Sequence, residues 1–291
     1  MSPPPLVVLL PVGPDDRALD ACLGALEAST PAGTPVWLAD DAQAGPRGVA
    51  LIEHWLAHTR LRADYTRRER AIGEVAHLDQ MLHACGDADV AVLSAQSQPL
   101  PGWLRQLQAC LARDAAIASA TPWSNAGEAA AWPRLGEVNP LPEDAERLAA
   151  ACAAMSPLHP ELPAAICHAV VLRGSARRRA GGLDTRSYQS WYAALIDLSL
   201  RMAGLGWRNV LCETAFVARD GEGVPADGDM DALATRWPAW HSRLAAFLMS
   251  DPLGESRQRL RRQYELTPVA APQRELFGSI QGNAGVDGNT D

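Results

Sequence analysis

Lysine is missing from this chain. All 26 of its basic residues are arginine, and against 34 acidic residues they leave a net charge of −8 over 291 positions. With so much alanine present, the arginine bias reads as genome composition rather than chemistry. An acidic chain has no general attraction for nucleic acid or an anionic membrane surface, so neither is expected as a partner. Cysteine is scarce and scattered, with six residues at 22, 85, 110, 152, 167 and 212 and no CxxC pair or His/Cys cluster at zinc spacing. That pattern signals neither a structural metal nor a disulfide framework, and reduced thiols in a cytoplasmic protein are expected. Long apolar runs are missing too. The opening one, LVVLLPV at 6–12, is far too short to cross a bilayer and has no basic region before it to make a signal peptide. No GxGxxG follows that run, which leaves a dinucleotide fold without support, and no GxxxxGK[ST] occurs, which excludes a P-loop. Internal repeats are lacking.

What is present is ordinary globular composition, 47% hydrophobic and 21% charged, arranged in alternating patterns. The unbroken LVVLLPV, ended by Gly13-Pro14, suits a strand buried on both faces. DDRALDACLGALEAST then carries apolar residues at helical spacing, with Asp15 or Asp16 as N-cap. TPVWLADDA (34–42) reads as a second strand ending in two carboxylates, and GVALIEHWLAHTRL and GEVAHLDQMLHACG as amphipathic helices. DVAVLSA is a further buried strand, and PLPGW turns it into a helix near Trp103. Repeated units of this kind predict an α/β fold whose mostly parallel sheet has helices on both faces. Ligands of such sheets sit at the carboxyl ends of the strands. Pro11-Val12-Gly13, Asp40-Asp41 and Ser94-Ala95-Gln96 therefore fall along one crevice.

The second half is less regular. ATPWSNAGEAAAWPRLGEVNPLP (120–142) reads as a proline-rich loop and EDAERLAAACAAM as a helix. AAICHAVVLRGSARRRAGGLD gives a strand, a turn and a short basic helix; YAALIDLSLRMAGLGW is a strongly periodic helix; RNVLCETAFVAR is a closing strand. From about 230 two helices are expected outside the sheet, and the Gly/Asn/Asp-rich residues 271–291 are expected to be disordered.

Taken in order, these segments resemble the family 2 glycosyltransferases, inverting enzymes with a GT-A fold, over about residues 5 to 253. LLPVG stands for the opening strand, LADDAQ for DDgS and IGEVAHLDQML for GfvgavNrGl. LSAQSQPLPGWL stands for the strand carrying the metal-binding acids and is followed by ATPWSNAG. RRRAGGLD matches eevGgfDe, YAALIDLSLRMAGLGWRNVL matches ygEdvDlclRlraaGwrnvl, and AFVARDGEG matches afvyHegg. The resemblance implies a glycosyltransferase-like domain over 1–229, its nucleotide-binding half at about 1–120 and acceptor half at about 121–229, with a C-terminal helical extension over 230–270. It implies a UDP- or GDP-type nucleoside diphosphate sugar as ligand, with Pro11, Asp40, Asp41, Gly73, Asp79, Ser94 and Gln96 on the nucleotide. Trp123 and Asn125 fall on the acceptor side. A glycan or lipid-linked acceptor and a role in bacterial surface polysaccharide assembly are implied by the family alone.

The sequence departs from that pattern at its chemistry. Ser94, Ala95 and Gln96 occupy the N-x-D or D-x-D position, and neutral oxygens are poor partners for a hard divalent ion. Ala194 and Leu195 replace the Ed pair that supplies the general base, and Arg219 replaces the metal-associated histidine. Losing a base alone costs roughly 10²–10⁴ in rate. No divalent metal is therefore expected, with Arg219 as a direct partner of the diphosphate and Arg173 and Arg177-Arg178-Arg179 as assistants. Ion pairing of Arg219 with Asp220 or Glu222 is the plainer alternative. His168 and Asp197 are the substitute bases on offer, against buried structural roles for both. Three readings follow: a degenerate domain that binds without turnover, a metal-independent transferase, or a scaffold for an active partner glycosyltransferase. The last would also place the protein at the inner membrane through its partners.

Overall fold

The computed structural model describes residues 6–269; the tail assigned to 271–291 lies outside them. In chain order its elements are β1 (Leu6–Val12), α1 (Asp16–Ser29), β2 (Pro35–Asp40), α2 (Pro46–His58), β3 (Arg62–Arg67), α3 (Glu74–Ala84), β4 (Asp89–Leu93) and β5 (Ser97–Pro99). There follow α4 (Trp103–Arg113), β6 (Ile117–Trp123), a 3₁₀ turn (Glu128–Ala130), α5 (Ala145–Ala153), β7 (Ala169–Leu172) and α6 (Gly174–Arg179). The last are α7 (Trp191–Gly204), β8 (Arg208–Arg219), α8 (Asp229–Arg236), α9 (Trp240–Ser250) and α10 (Gly254–Leu266). One eight-stranded sheet runs β3-β2-β1-β4-β7-β6-β8-β5. Only β7 and β5 run against the other six, so the sheet is mostly parallel.

Alternation along the central strands explains why both faces are covered. Val8, Leu10 and Val12 of β1, with Ala91 and Leu93 of β4, face a core made with α1, α2 and α4. Leu9, Val90 and Val92 point the other way, into a second core with α3 and α7. Asp15 caps α1 by accepting from the Arg17 and Ala18 amides, at 2.9 and 3.1 Å. Residues 193–200 of α7 are buried all round, as expected of a helix packed between a sheet and a further layer. A third core, built on Trp123, Phe216, Leu211, Leu148 and Leu260, seats α5 and α10 on the far end of the sheet.

Three elements differ from the sequence-based expectation. The stretch read as loop begins inside β6, whose seven residues are all buried. β3, RADYTR, is an edge strand with most side chains exposed, and so carries charge where an interior strand carries aliphatics. From Asp229 onward the described residues hold three helices rather than two. Among the described residues no helix is long and apolar enough to cross a membrane.

Candidate functional site

β1, β2 and β4 end beside one another, and β8 ends nearby, across from β5. Their carboxyl ends open into a cavity of about 520 Å³. Pro11–Gly13, Asp41, Ser94–Gln96 and Arg219 line it from the sheet, Glu74 and His77 from α3, Ser190–Tyr192 from the start of α7, and Glu222–Val224 from the loop after β8. The crevice inferred from the strand ends thus brings together Pro11, Asp41, Ser94, Gln96 and Arg219.

The acidic pair after β2 divides its work. Asp40 is fully buried and accepts from the Gln43 amide (2.7 Å), the Ala44 amide (3.2 Å) and the Tyr65 hydroxyl (2.8 Å), with Arg67 at 3.5 Å. Those contacts use up its carboxylate in closing the turn. Asp41 faces the cavity and accepts from the Ile72 and Gly73 amides at 2.9 and 2.8 Å. It thereby fixes the start of α3, where Gly73 takes a φ of 98° that favours glycine. Asp79 does not line the cavity; its carboxylate accepts from the Leu183 amide at 2.8 Å, tying α3 to the turn before α7.

At the end of β4 the Ser94 hydroxyl donates to Gln96 Oε1 at 2.7 Å. The Gln96 carbonyl accepts from the Asp220 amide at 3.1 Å, and β5 pairs with β8 so that Ser97 stands opposite Arg219. Arg219 is 5% exposed. Its Nη1 donates to Cys167 Sγ at 3.6 Å, its Nε has no partner, and among the described residues it forms no ion pair, with Asp220 or Glu222 or any other. Gly223 covers it closely, since a methyl there would lie 3.0 Å from Nη1. The proposed assistants are elsewhere. Arg173 donates to the Ile117, Leu111 and Asp114 carbonyls, and Arg177 to those of Leu82 and Gly86. Both act as caps for backbone carbonyls at the opposite end of the sheet.

Neither of the two substitute bases lines the cavity. His168 is fully buried, with neither ring nitrogen in a full hydrogen bond. Burial, and after it the Arg219 charge, push its pKa down to about 3, while the Pro122 carbonyl pulls weakly the other way. Asp197 is fully buried and bound to Arg201 (2.8 Å), Arg236 (3.1 Å) and the Trp237 indole nitrogen (2.9 Å), joining α7 to α8. Trp123 and Asn125, assigned to an acceptor, are also buried. The Asn125 amide donates to the Asn139 and Arg219 carbonyls and accepts from the Arg219 amide (2.9, 2.9 and 2.7 Å). It therefore knits the 124–139 loop to β8 instead of facing the cavity.

Sequence reasoning passed over two carboxylates near this space, Glu74 and Glu128, and named Glu222 only as an ion-pair partner for Arg219. Glu74 accepts from the Trp191 amide at 2.8 Å, and burial of its carboxyl end raises its pKa. Glu128 lines a small apolar recess whose walls include Cys167 and Tyr192, which also line the main cavity. The available signal was a glutamate straight after Asn-Ala-Gly in a loop leaving a strand end.

No family model matches the chain, and no curated protein matches it in sequence. Solved structures do match. GalNAc-T7 with UDP, GalNAc and Mn2+ has a TM-score of 0.61 at 14% identity, covering 91% of this chain and 55% of that one. Mannosyltransferase PcManGT from Pyrobaculum calidifontis with GDP-Man and Mn2+ gives 0.57 at 16% identity, covering 91% and 76%. S. aureus TarS 1–349 with UDP-GlcNAc gives 0.53 at 10% identity, covering 89% and 71%. The chain spans little more than half the length of GalNAc-T7. The architecture shared with these glycosyltransferases is the GT-A fold.

One expectation is corrected by these structures. Two of the three are Mn2+ complexes, so the reading that a divalent cation has no place here does not stand. The residues of this chain nonetheless fit such an ion poorly. Among the described residues no three His, Cys, Asp or Glu side chains gather into a metal-holding group. Ser94 and Gln96 satisfy each other, and the Arg219 cation lines the same cavity.

Proposed function

We propose that the chain is a glycosyltransferase whose crevice holds a nucleoside diphosphate sugar, with Arg219 on the diphosphate and the nucleoside over Pro11, Asp41 and Ser94–Gln96. The observation that carries this is the state of Arg219: a nearly buried guanidinium, without an ion pair among the described residues, opening into a cavity at the strand carboxyl ends. Burying a cation without a counter-charge costs several kcal/mol. An anion of the right shape offsets that cost, and a guanidinium suits phosphate oxygens through paired, charge-assisted hydrogen bonds. Asp41 sets the rim through α3, and Glu74 does the same for α7 by holding the Trp191 amide. UDP, GDP-mannose and UDP-GlcNAc in the structural neighbours are diphosphates of this class.

A second reading, binding without turnover, has one observation in its favour: Ala194 and Leu195, where the resembling family has its acids, are buried apolar side chains. Calorimetry with UDP, GDP and inorganic pyrophosphate, each with and without Mn2+, tests the binding claim. Saturable binding of a nucleoside diphosphate supports it, and silence from all three at millimolar concentration removes it. Release of nucleotide from a bound donor sugar then separates transferase from binder.

A further inference from the structure

The geometry points to Glu128 as the general base that takes the proton from the acceptor hydroxyl; this rests on the transferase reading above. The loop that carries it is fixed from several sides. The Ser124 amide bonds the Ala130 carbonyl (3.0 Å) and the Trp132 amide bonds the Ser124 carbonyl (2.8 Å). The buried Arg257 of α10 donates to the Ala131 and Ala129 carbonyls at 2.8 and 2.6 Å. Asn125 ties the same loop to β8 beside Arg219. Within this frame Glu128 has a φ of 45°, a left-handed conformation that a glutamate rarely adopts. Such strain persists only where the surroundings over-determine the backbone, and it gathers at functional sites.

The side chain lies in a recess that shares two wall residues with the main cavity. Glu128 and Tyr192 both line the apolar recess, and Tyr192 and Cys167 also line the main cavity. The titratable and charged groups facing the Glu128 carboxyl are Tyr192 of α7, Arg219 of β8, Glu222 of the following loop and Cys167. Burial raises its pKa above the ordinary range, with Glu222 adding to the rise while Tyr192 and Arg219 oppose it. A carboxylate so placed stays near the diphosphate partner without being consumed by it, as Asp40 and Asp197 are consumed by theirs. In the step, the acceptor oxygen forms a bond to the anomeric carbon and loses its proton to Glu128. The bond from that carbon to the diphosphate oxygen breaks, and its electron pair leaves with the nucleotide. A single displacement of this kind inverts the anomeric centre.

The test follows release of UDP or GDP from UDP-GalNAc, UDP-GlcNAc and GDP-mannose in the presence of Mn2+, with water as acceptor, alongside nucleotide affinity by calorimetry. Wild type is expected to release nucleotide. Glu128→Gln should lose roughly 10²–10⁴ of kcat/KM while binding nucleotide within about threefold of wild type. Because the base acts when ionised, the wild-type rate should fall as pH drops through the raised pKa, and that acid limb should vanish in Glu128→Gln. Glu128→Gly, freed of the left-handed strain, should melt higher than wild type yet show the same loss, which keeps the test sound if the glutamine variant folds poorly. The released sugar should carry the inverted configuration. Variant turnover within about fivefold of wild type, or retained configuration, overturns the assignment. Nucleotide that binds wild type without ever being released also overturns it and leaves the binding site standing. Absence of nucleotide binding removes the transferase reading, and the base with it.

Discussion

Replacing Arg219 with methionine should move stability and affinity in opposite directions. Arg219 as a residue is only 5% exposed, and its guanidinium makes one long bond to Cys167 Sγ and leaves Nε without a partner. Methionine keeps a similar length and flexibility without the charge. The backbone bonds of Arg219 with Asn125 do not depend on the side chain. Relief of the desolvation cost is worth about 1–3 kcal/mol in comparable replacements of buried charge by apolar groups, which raises Tm by about 2–4 °C per kcal/mol in a chain of this size. Each charge-assisted bond to phosphate that disappears costs about 1.5–3 kcal/mol, a loss of roughly 10- to 150-fold in affinity for UDP or GDP. The two quantities are read by differential scanning calorimetry without ligand and by titration calorimetry with it. A third readout follows from the neighbours: the pKa values of His168 and Cys167, both held down in part by this cation, should rise. A variant that melts lower than wild type without ligand, and still binds nucleotide as tightly, would refute the reasoning.

Asp197→Ala strands the Arg201 and Arg236 cations that the carboxylate now pairs and should cost about 3–5 kcal/mol in urea unfolding, with nucleotide affinity per folded molecule unchanged. Altered affinity in a fully folded sample would place Asp197 in the site after all. His168 predicts acid sensitivity. Its folded-state pKa lies at about 3 against an ordinary 6.5, so on acidification the unfolded chain takes up the proton first. Stability from this group is complete above 6.5 and is lost between there and about 3, at roughly 1.4 kcal/mol per pH unit. His168→Leu should flatten the dependence between pH 7 and 5, and parallel curves for the two proteins would exclude the buried histidine as its source.

The architecture was legible because its central strands are apolar on both faces. LVVLLPV and DVAVL admit few other structures, and helices joining parallel strands follow from chain direction. The strand-end rule placed Pro11–Gly13, Asp40-Asp41 and Ser94–Gln96 along one crevice, and all of these but Asp40 line the cavity. What was not legible depends on tertiary partners. RADYTR lacks the apolar pattern because β3 is an edge, and the strand within IASATPW was masked by its serine, threonine and proline, which are buried against β7 and β8. A carboxylate's role likewise depends on what it touches. Asp40, Asp41, Asp79 and Asp197 look alike in sequence, yet only Asp41 faces the cavity. Glu128 carried no periodic signal beyond its place after Asn-Ala-Gly, since its position is fixed by Asn125 and Arg257, the second of which is 129 residues further along the chain.

Gln96 and Arg219, where the sequence differs from the glycosyltransferases it resembles, should act together, and restoring one without the other tests this. β5 places Ser97 across from Arg219, and the Gln96 carbonyl holds the Asp220 amide, so Gln96, in the turn before β5, and Arg219, at the end of β8, line one side of the cavity. Where the resembling family has an acid, this chain has an amide already occupied by the Ser94 hydroxyl. A carboxylate introduced there would meet a nearly buried cation that makes no salt bridge among the described residues. The internal pair so formed would compete with any diphosphate for the same guanidinium. Gln96→Asp should therefore raise ligand-free stability and weaken metal-free UDP or GDP binding, by about the one charge-assisted bond it diverts, or roughly tenfold. In Gln96→Asp combined with Arg219→Met the added carboxylate has no cation to claim, so the two effects should be strongly non-additive in a double-mutant cycle. If they add, the two residues do not share the electrostatic site argued for here.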